Sequence, residues 1–196
     1  MSDAPRALVL GSISPRRRDL LTAAGFAFEI AEPAVDERGI PGESAEVQAR
    51  RLALEKARAV AARFPSEACV LAADTLVVVD AEVLGKPRDA DEAVEMLLRI
   101  QSRSHRVLTG FALVVRALGV EDHGVVASEV RMHPVDRETA RAYARSGEPL
   151  DKAGAYAAQG EGGRFVAEIR GSRTNVIGLP METIVARLAR LGVEPA

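Results

Sequence analysis

Short apolar runs alternate with amphipathic segments along this chain, and this alternation restricts the fold more than any other feature. Residues 70–79 form an apolar run suited to a buried strand, whereas 44–64 and 180–191 have the periodicity of amphipathic helices. The segments 106–117 and 125–132 follow each other without a helix between them, which predicts a hairpin. Interleaved helices and hairpins predict an α/β fold, with a mixed, twisted sheet flanked by helices.

Local signals place several element boundaries. Ser14, as N-cap, and Pro15, at the first helical position, predict the start of a helix that Gly25 ends. Asp80-Ala81 predicts a turn into a short partner strand at 82–84. Further along the chain, the spacing Asp89-x-x-Glu92 is typical of a capping box and predicts another helix start.

Composition excludes several classes of protein. The 26 basic and 28 acidic residues leave a formal net charge of −2, which provides no general attraction to nucleic acid or to an anionic membrane. The single Cys69 lies in an apolar run, so we expect a buried thiol and neither a disulfide framework nor a cysteine zinc site. No apolar run approaches the ~18 residues of a membrane span. We therefore expect a single cytoplasmic domain over 1–196, without a nucleic-acid or membrane partner.

A first candidate site is the segment 12–18, which follows a short apolar run. Ser12, Ser14 and three consecutive arginines, Arg16 to Arg18, converge there on the start of a helix. Free N–H groups and the helix dipole favour an anion at such a position, and guanidinium groups match phosphate oxygens. A purely structural helix favours acidic residues in its first turn, so the arginines indicate phosphate binding. The segment is neither a Walker A motif nor a nucleophile elbow.

Asp74 is the second candidate because it lies, with Thr75, inside the apolar run 70–79. A carboxylate there is costly to bury without a partner, so we expect it to interrupt or bend the strand. At a sheet edge such a group binds Mg²⁺ or activates water, the alternative being a simple turn between two strands. Asp36-Glu37 is a further carboxylate pair, for which solvated loop charges are the simpler interpretation.

Three more segments carry polar residues, and each also has an ordinary structural interpretation. Gly85-Lys86-Pro87 holds a lysine on a rigid turn, 147–160 combines acids, a lysine and an amide, and 171–175 is a polar loop. The histidines are too scattered to indicate a shared metal site, and we interpret His105 as structural. Cations on several loops, with carboxylates but no covalent nucleophile, are the groups that metal-assisted phosphoanhydride hydrolysis requires.

The order of these motifs resembles the Maf family of nucleoside triphosphate pyrophosphatases. The resemblance covers about residues 7 to 191, and six motifs in family order carry it: Ser12-Ile13-Ser14-Pro15-Arg16-Arg17, Asp74-Thr75, Gly85-Lys86-Pro87, the segment 105–110, the segment 147–156 and the segment 175–180. It implies a single Maf/ITPase-like domain with a cleft between two lobes. It also implies a cytoplasmic enzyme, dependent on a divalent cation (Mg²⁺ or Mn²⁺), that cleaves a nucleotide between its α- and β-phosphates.

The resemblance also implies roles for individual residues. Asp74 would be the proton acceptor, and Glu37 would help Asp74 to hold the metal. The residues that would line the phosphate cleft are Ser12, Arg17, Lys56, Lys86 and Lys152.

Three further positions distinguish branches of the family. Arg16, Thr75 and Gln159 match the branch that prefers dTTP and UTP, whereas the branch acting on 7-methyl-GTP has Trp and Gln at the first two of these positions. A hydroxyl and an amide together can read a pyrimidine edge. Two residues depart from the family pattern: Gly11 replaces the usual alanine, and Arg103 lies where glycine is usual ahead of His105.

The lysines gain meaning from this pattern. Only three of the 26 basic residues are lysines: Lys86 and Lys152 lie in motifs of the resemblance, and Lys56 lies on the predicted helix 44–64. An ammonium group is a compact point charge that contacts phosphate where a guanidinium fork does not fit. Coding bias explains the abundance of arginine but not the positions of Lys86 and Lys152; for Lys56 a helix face offers a structural alternative.

Two other functions remain open at this stage. One is a nucleotide-binding regulator of cell division with little turnover, since family members are linked to septum formation. The other is a pyrophosphatase for modified nucleotides. A homodimer is suggested by the family alone.

Overall fold

The computed structural model describes residues 6–196, which form helices and strands in alternation. The strands are β1 (Leu8–Leu10), β2 (Glu29–Ile30), β3 (Cys69–Val79), β4 (Glu82–Leu84), β5 (Ser104–Val115), β6 (Val120–Met132) and β7 (Val166–Arg170). The helices are α1 (Pro15–Ala23), α2 (Ala45–Ala61), α3 (Ala90–Ile100), α4 (Arg137–Ala144), α5 (Arg173–Ile177) and α6 (Met181–Arg190). Short 3-10 turns cover Arg116–Leu118, Glu148–Asp151, Ala153–Ala155 and Gly160–Phe165.

The strands of the described range form one mixed sheet in the order β2-β1-β3-β5-β6-β7, with β4 paired to β3. Strand β1 is parallel to β2 and β3, whereas the β3–β4 and β6–β7 pairs are antiparallel. The predicted α/β fold with a mixed sheet is therefore confirmed. The turn at Asp80-Ala81 is also confirmed, since both residues have positive φ between the paired Val79 and Glu82.

Asp74 does not interrupt β3, contrary to the sequence-based expectation. The strand continues through Asp74 and Thr75 as one element of 11 residues. Burial of the carboxylate is tolerated because Lys56 donates to it at 2.7 Å. A second difference is α5, which forms where the sequence predicts a polar loop; the Ser172 hydroxyl accepts from the Asn175 N–H at its start.

By its contacts the chain divides into two compact units. The first comprises the residues up to Asp74, Thr109–Val126 and the residues from Gly178 onwards; the second comprises Thr75–Leu108 and Ala127–Ile177. The expectation of a single domain over 1–196 stays a prediction.

In the first unit, both faces of the central strands are covered. Leu71 and Ala73 of β3 pack in one cluster with residues of α6, and Val70 and Ala72 pack in another with residues of α2. Because successive strand residues point to opposite faces, Asp74 lies on the face that α2 covers.

Helix α2 packs directly on the backbone of β5. A Cβ atom at Gly110 would lie 2.1 Å from the carbonyl oxygen of Ala49, so only glycine fits there. Ala53 and Ala57 continue the same buried helix face, and Lys56 lies on that face as well. This close approach positions the Lys56 ammonium group against β3.

The core of the second unit is formed around α3 and α4. Leu97 and Ile100 of α3 and Tyr143 of α4 are fully buried. Tyr143 also contacts Phe165 edge to face, with ring centroids 5.1 Å apart. The Asp89 side chain accepts from the Glu92 N–H at 2.8 Å, which confirms the predicted cap at the start of α3.

Candidate functional site

The segment between β1 and α1 is organised by Ser12 rather than by Ser14. Ser14 occupies the predicted N-cap position, although its side chain forms no capping hydrogen bond. The buried Ser12 hydroxyl instead accepts from the Ser14 N–H at 3.2 Å and from Arg17 Nη1 at 3.1 Å. Arg17 Nε donates to the carbonyl of Gly178 at 2.8 Å. The guanidinium group is thereby fixed at the beginning of the helix.

Opposing effects act on the Arg17 guanidinium. Burial lowers its pKa, whereas the carboxylates of Asp74 and Glu37 act in the opposite direction. The group stays charged at physiological pH because arginine titrates so far above neutrality. Arg16, half-buried, follows Pro15 in the same first turn, so the structure brings the predicted Ser12, Arg16 and Arg17 together.

Lys56 joins two of the predicted carboxylates. Its Nζ lies 2.7 Å from Asp74 Oδ1 and 2.8 Å from Glu37 Oε1. The side chains of Lys56 and Asp74 are 6% and 8% exposed, whereas that of Glu37 is 54% exposed. Lys56 therefore neutralises a buried carboxylate on one side and meets a solvent-facing one on the other. Lys56 does lie on a helix face, but that face is buried, so Lys56 is not an ordinary surface lysine.

The second oxygen of Asp74 is open. Oδ2 is buried and has no hydrogen-bond partner among the described residues. A buried carboxylate oxygen without a donor is costly, so this position suits a cation or a hydrogen-bonded water. The bond from Lys56 to Oδ1 fixes the direction in which Oδ2 points.

This donor set fits a divalent cation that arrives with a substrate. Within residues 6–196 no cluster of three or more histidine, cysteine or acidic side chains is placed to hold a metal by itself. Mg²⁺, however, is commonly bound by one or two carboxylates together with substrate phosphates and water. Asp74, with its open oxygen, and the exposed Glu37 provide such a pair.

The other two predicted lysines belong to the second unit and differ in their surroundings. Lys86 is exposed and forms no hydrogen bond or ion pair with another residue of the described chain. Lys152 Nζ donates to the Glu148 carbonyl and to Asp151 Oδ1, the latter at 2.6 Å. The turns that carry them are linked, since the Gly154 N–H donates to the Gly85 carbonyl at 3.1 Å.

The remaining specificity candidates are also in the second unit. Thr75 is half-buried in β3, and Gln159 is exposed immediately before the 3-10 turn Gly160–Phe165. Both residues belong to the second unit.

Two polar side chains from motifs of the resemblance, Glu148 and His105, hold this part of the chain through their hydrogen bonds. Glu148 accepts hydrogen bonds from Tyr143 and from the backbone of 161–162. His105 Nε2 lies 2.7 Å from the Tyr156 hydroxyl, and burial lowers the pKa of His105 to about 4, so its ring is neutral. The sequence signal for Glu148 is its place in the motif 147–156, between the turn residues Gly147 and Pro149.

The two departures from the family pattern have local explanations. A Cβ atom at Gly11 would lie 3.3 Å from both Ala72 Cβ and Val60 Cγ2, so glycine avoids a tight contact. Arg103 Nη2 donates to both carboxylate oxygens of Asp80, at 2.7 and 2.8 Å, and so ties Arg103 to the β3–β4 turn. Neither change removes a candidate side chain.

Three proteins that are similar to this chain share one name. A 50% identical protein of Myxococcus xanthus aligns over 186 residues, 95% of this chain and 93% of its own, and is named dTTP/UTP pyrophosphatase. Proteins of the same name from Anaeromyxobacter dehalogenans and Symbiobacterium thermophilum are 53% and 49% identical, covering 96% and 94% of this chain and 95% and 94% of their own.

No helix within the described residues is long and apolar enough to cross a membrane.

The sequence profile described as "Maf-like protein" matches residues 7–191, almost the range of the predicted resemblance. The chain therefore belongs to the Maf family.

Proposed function

We propose that this chain is a nucleoside triphosphate pyrophosphatase that hydrolyses dTTP and UTP to the nucleoside monophosphate and pyrophosphate. The observation that carries the proposal is the buried Asp74 carboxylate, with Oδ1 bonded to Lys56 and Oδ2 open. Three relatives that match about half of the residues over nearly the whole chain bear this enzyme's name. We place the activity in the cytoplasm, which suits a chain whose one cysteine is free and buried.

In the proposed reaction a water oxygen attacks the α-phosphorus. The bond from that phosphorus to the bridging oxygen of the β-phosphate breaks, and pyrophosphate leaves with the bonding electron pair. Asp74 Oδ2 orients the water and accepts its proton. This oxygen suits the role because its direction is fixed and no described residue donates a hydrogen bond to it.

Cationic side chains stabilise the phosphate charge in this scheme. Arg17, fixed by Ser12 and Gly178, donates to phosphate oxygens, and Arg16 adds a second guanidinium. Lys86 and Lys152 act as point charges for the leaving pyrophosphate, with Lys152 exchanging its contacts to Glu148 and Asp151 for phosphate.

A divalent cation, Mg²⁺ or Mn²⁺, fits the same carboxylates. We propose that Asp74 and Glu37 hold it, and when bound it would neutralise charge on the phosphate oxygens and lower the pKa of water. A carboxylate oxygen carries two lone pairs, so Asp74 can serve both roles.

Base selection is assigned to Arg16, Thr75 and Gln159. A site built to hydrogen-bond one base edge rejects a base that leaves those groups unpaired. The test is a steady-state panel of nucleoside triphosphates with Mg²⁺ that measures pyrophosphate and orthophosphate separately. We expect dTTP and UTP to be the best substrates and pyrophosphate to be the product; release of orthophosphate alone contradicts the proposal.

Glu37→Gln is expected to raise the Mg²⁺ concentration needed for half-maximal activity by about tenfold, because one charged ligand is lost. The measurement is a Mg²⁺ titration of dTTP hydrolysis at saturating substrate. The control is Asp36→Asn, since Asp36 is adjacent but pairs with Arg38 at 2.6 Å instead. Equal Mg²⁺ requirements in both variants would remove Glu37 from the metal site.

A further inference from the structure

Glu148 lies where three hydrogen-bond donors of the second unit converge. Its Oε1 accepts from the Tyr143 hydroxyl at 2.9 Å and from the Gly162 N–H at 3.0 Å. Its Oε2 accepts from the Glu161 N–H at 3.1 Å. The carboxylate therefore closes the loop between Glu148 and Gly162, and that loop contains Gln159. We call these three hydrogen bonds to the Glu148 carboxylate the clamp.

The backbone is packed so closely around this carboxylate that glycine is required on both sides. Gly160 has φ of 68°, and a Cβ atom there would lie 2.8 Å from Glu148 Oε2. At Gly162 a Cβ atom would lie 2.5 Å from the Tyr143 hydroxyl oxygen and 2.8 Å from the Ala157 nitrogen. The loop thus has little freedom while Glu148 stays in place.

The chemistry of the contact requires a carboxylate. All three partners are donors, and only an ionised carboxylate offers two acceptor oxygens without a donor of its own. Burial acts to raise the pKa of Glu148, but the hydrogen bonds from Gly162, Tyr143 and Glu161 outweigh it and the pKa is lowered. A glutamine at this position would turn an NH₂ group towards a backbone N–H.

We propose that Glu148, supported by Tyr143, is a positioning residue for substrate selection. It acts through Gln159, which lies in the loop that the clamp closes, directly before Gly160 with its positive φ. The Gln159 side chain is exposed on this loop. This inference rests on the proposed function, in which Gln159 reads the base. Glu148 itself is not assigned a contact with the nucleotide.

The kinetic test compares kcat/KM for dTTP, UTP and a purine triphosphate in Glu148→Gln and Tyr143→Phe. We expect kcat/KM for dTTP and UTP to fall about tenfold, mainly through KM, with a smaller change for the purine nucleotide. Combined with Gln159→Ala, neither variant should cause a further loss of selectivity, because both act through the same amide. Equal losses for all nucleotides, or losses that add to that of Gln159→Ala, would overturn the proposal.

Amide hydrogen exchange tests the clamp without any substrate. Exchange at Glu161 and Gly162 should become faster in Glu148→Gln, and also in the milder Tyr143→Phe variant, while the core of α3 stays protected. The control is Glu161→Gln, whose side chain is exposed and makes no polar contact in the described structure. Unchanged exchange in both clamp variants refutes the positioning role. If exchange rises but wild-type protein releases no pyrophosphate, the proposed function fails and the clamp does not.

Discussion

Asp74→Asn is expected to lower kcat for dTTP by roughly 10²–10⁴-fold, the usual contribution of a general base. Asparagine keeps the shape of the side chain and can accept from Lys56, but it cannot take a proton from water. Because Glu37 still pairs with Lys56, the variant should remain folded. The measurement is single-turnover hydrolysis of dTTP, together with thermal unfolding to check the fold.

The matched control is Asp80→Asn at the end of the same strand. Asp80 is exposed and pairs with Arg103 in the turn, and asparagine tolerates its positive φ. Measuring both the binding and the turnover of dTTP distinguishes an enzyme from a nucleotide-binding regulator. If the Asp74→Asn variant binds dTTP but does not hydrolyse it, the result supports the enzyme function. Equal turnover by the Asp74→Asn and Asp80→Asn variants would remove Asp74 from catalysis.

Lys56→Met is expected to lower the free energy of unfolding by about 3 kcal/mol, since removing one partner of a buried ion pair leaves an uncompensated charge. Asp74 stays buried on the α2-covered face and loses the ammonium group that donates to it at 2.7 Å. Turnover should fall as well, because Oδ2 is no longer held in one direction. Chemical denaturation and dTTP hydrolysis measure the two effects.

The control for Lys56→Met is Lys86→Met, which removes an exposed lysine without a partner in the described chain and should change stability by less than about 0.5 kcal/mol. Adding Asp74→Asn to Lys56→Met should recover part of the lost stability, since the unpaired charge is then gone. Full stability of Lys56→Met alone would show that the ion pair does not hold the site.

Much of the fold follows from local sequence signals. The start of α1 at Pro15, the turn at Asp80-Ala81 and the cap at Asp89 each depend on residues within one turn of chain. Such signals act through local backbone and hydrogen-bond preferences, which a sequence displays directly.

The parts that the sequence did not reveal depend on distant partners. Strand β3 continues through Asp74 because Lys56, 18 residues away, neutralises the carboxylate. Likewise the role of Glu148 arises from donors on Tyr143 and on residues 161–162, which only the folded loop brings together. The family motifs identify the candidate residues. The ion pair between Lys56 and Asp74, and the Asp74 Oδ2 atom without a donor among the described residues, are visible only in the folded chain. The expected homodimer and the absence of nucleic-acid and membrane partners stay predictions.

The most direct test of the central claim is hydrolysis of dTTP by the wild-type protein in water labelled with heavy oxygen. Mass spectrometry then shows which product carries the label, and therefore which phosphorus the water attacked. Attack at the α-phosphorus predicts pyrophosphate as the second product and the label in the nucleoside monophosphate. Labelled orthophosphate with the nucleoside diphosphate, or label in pyrophosphate, would contradict it.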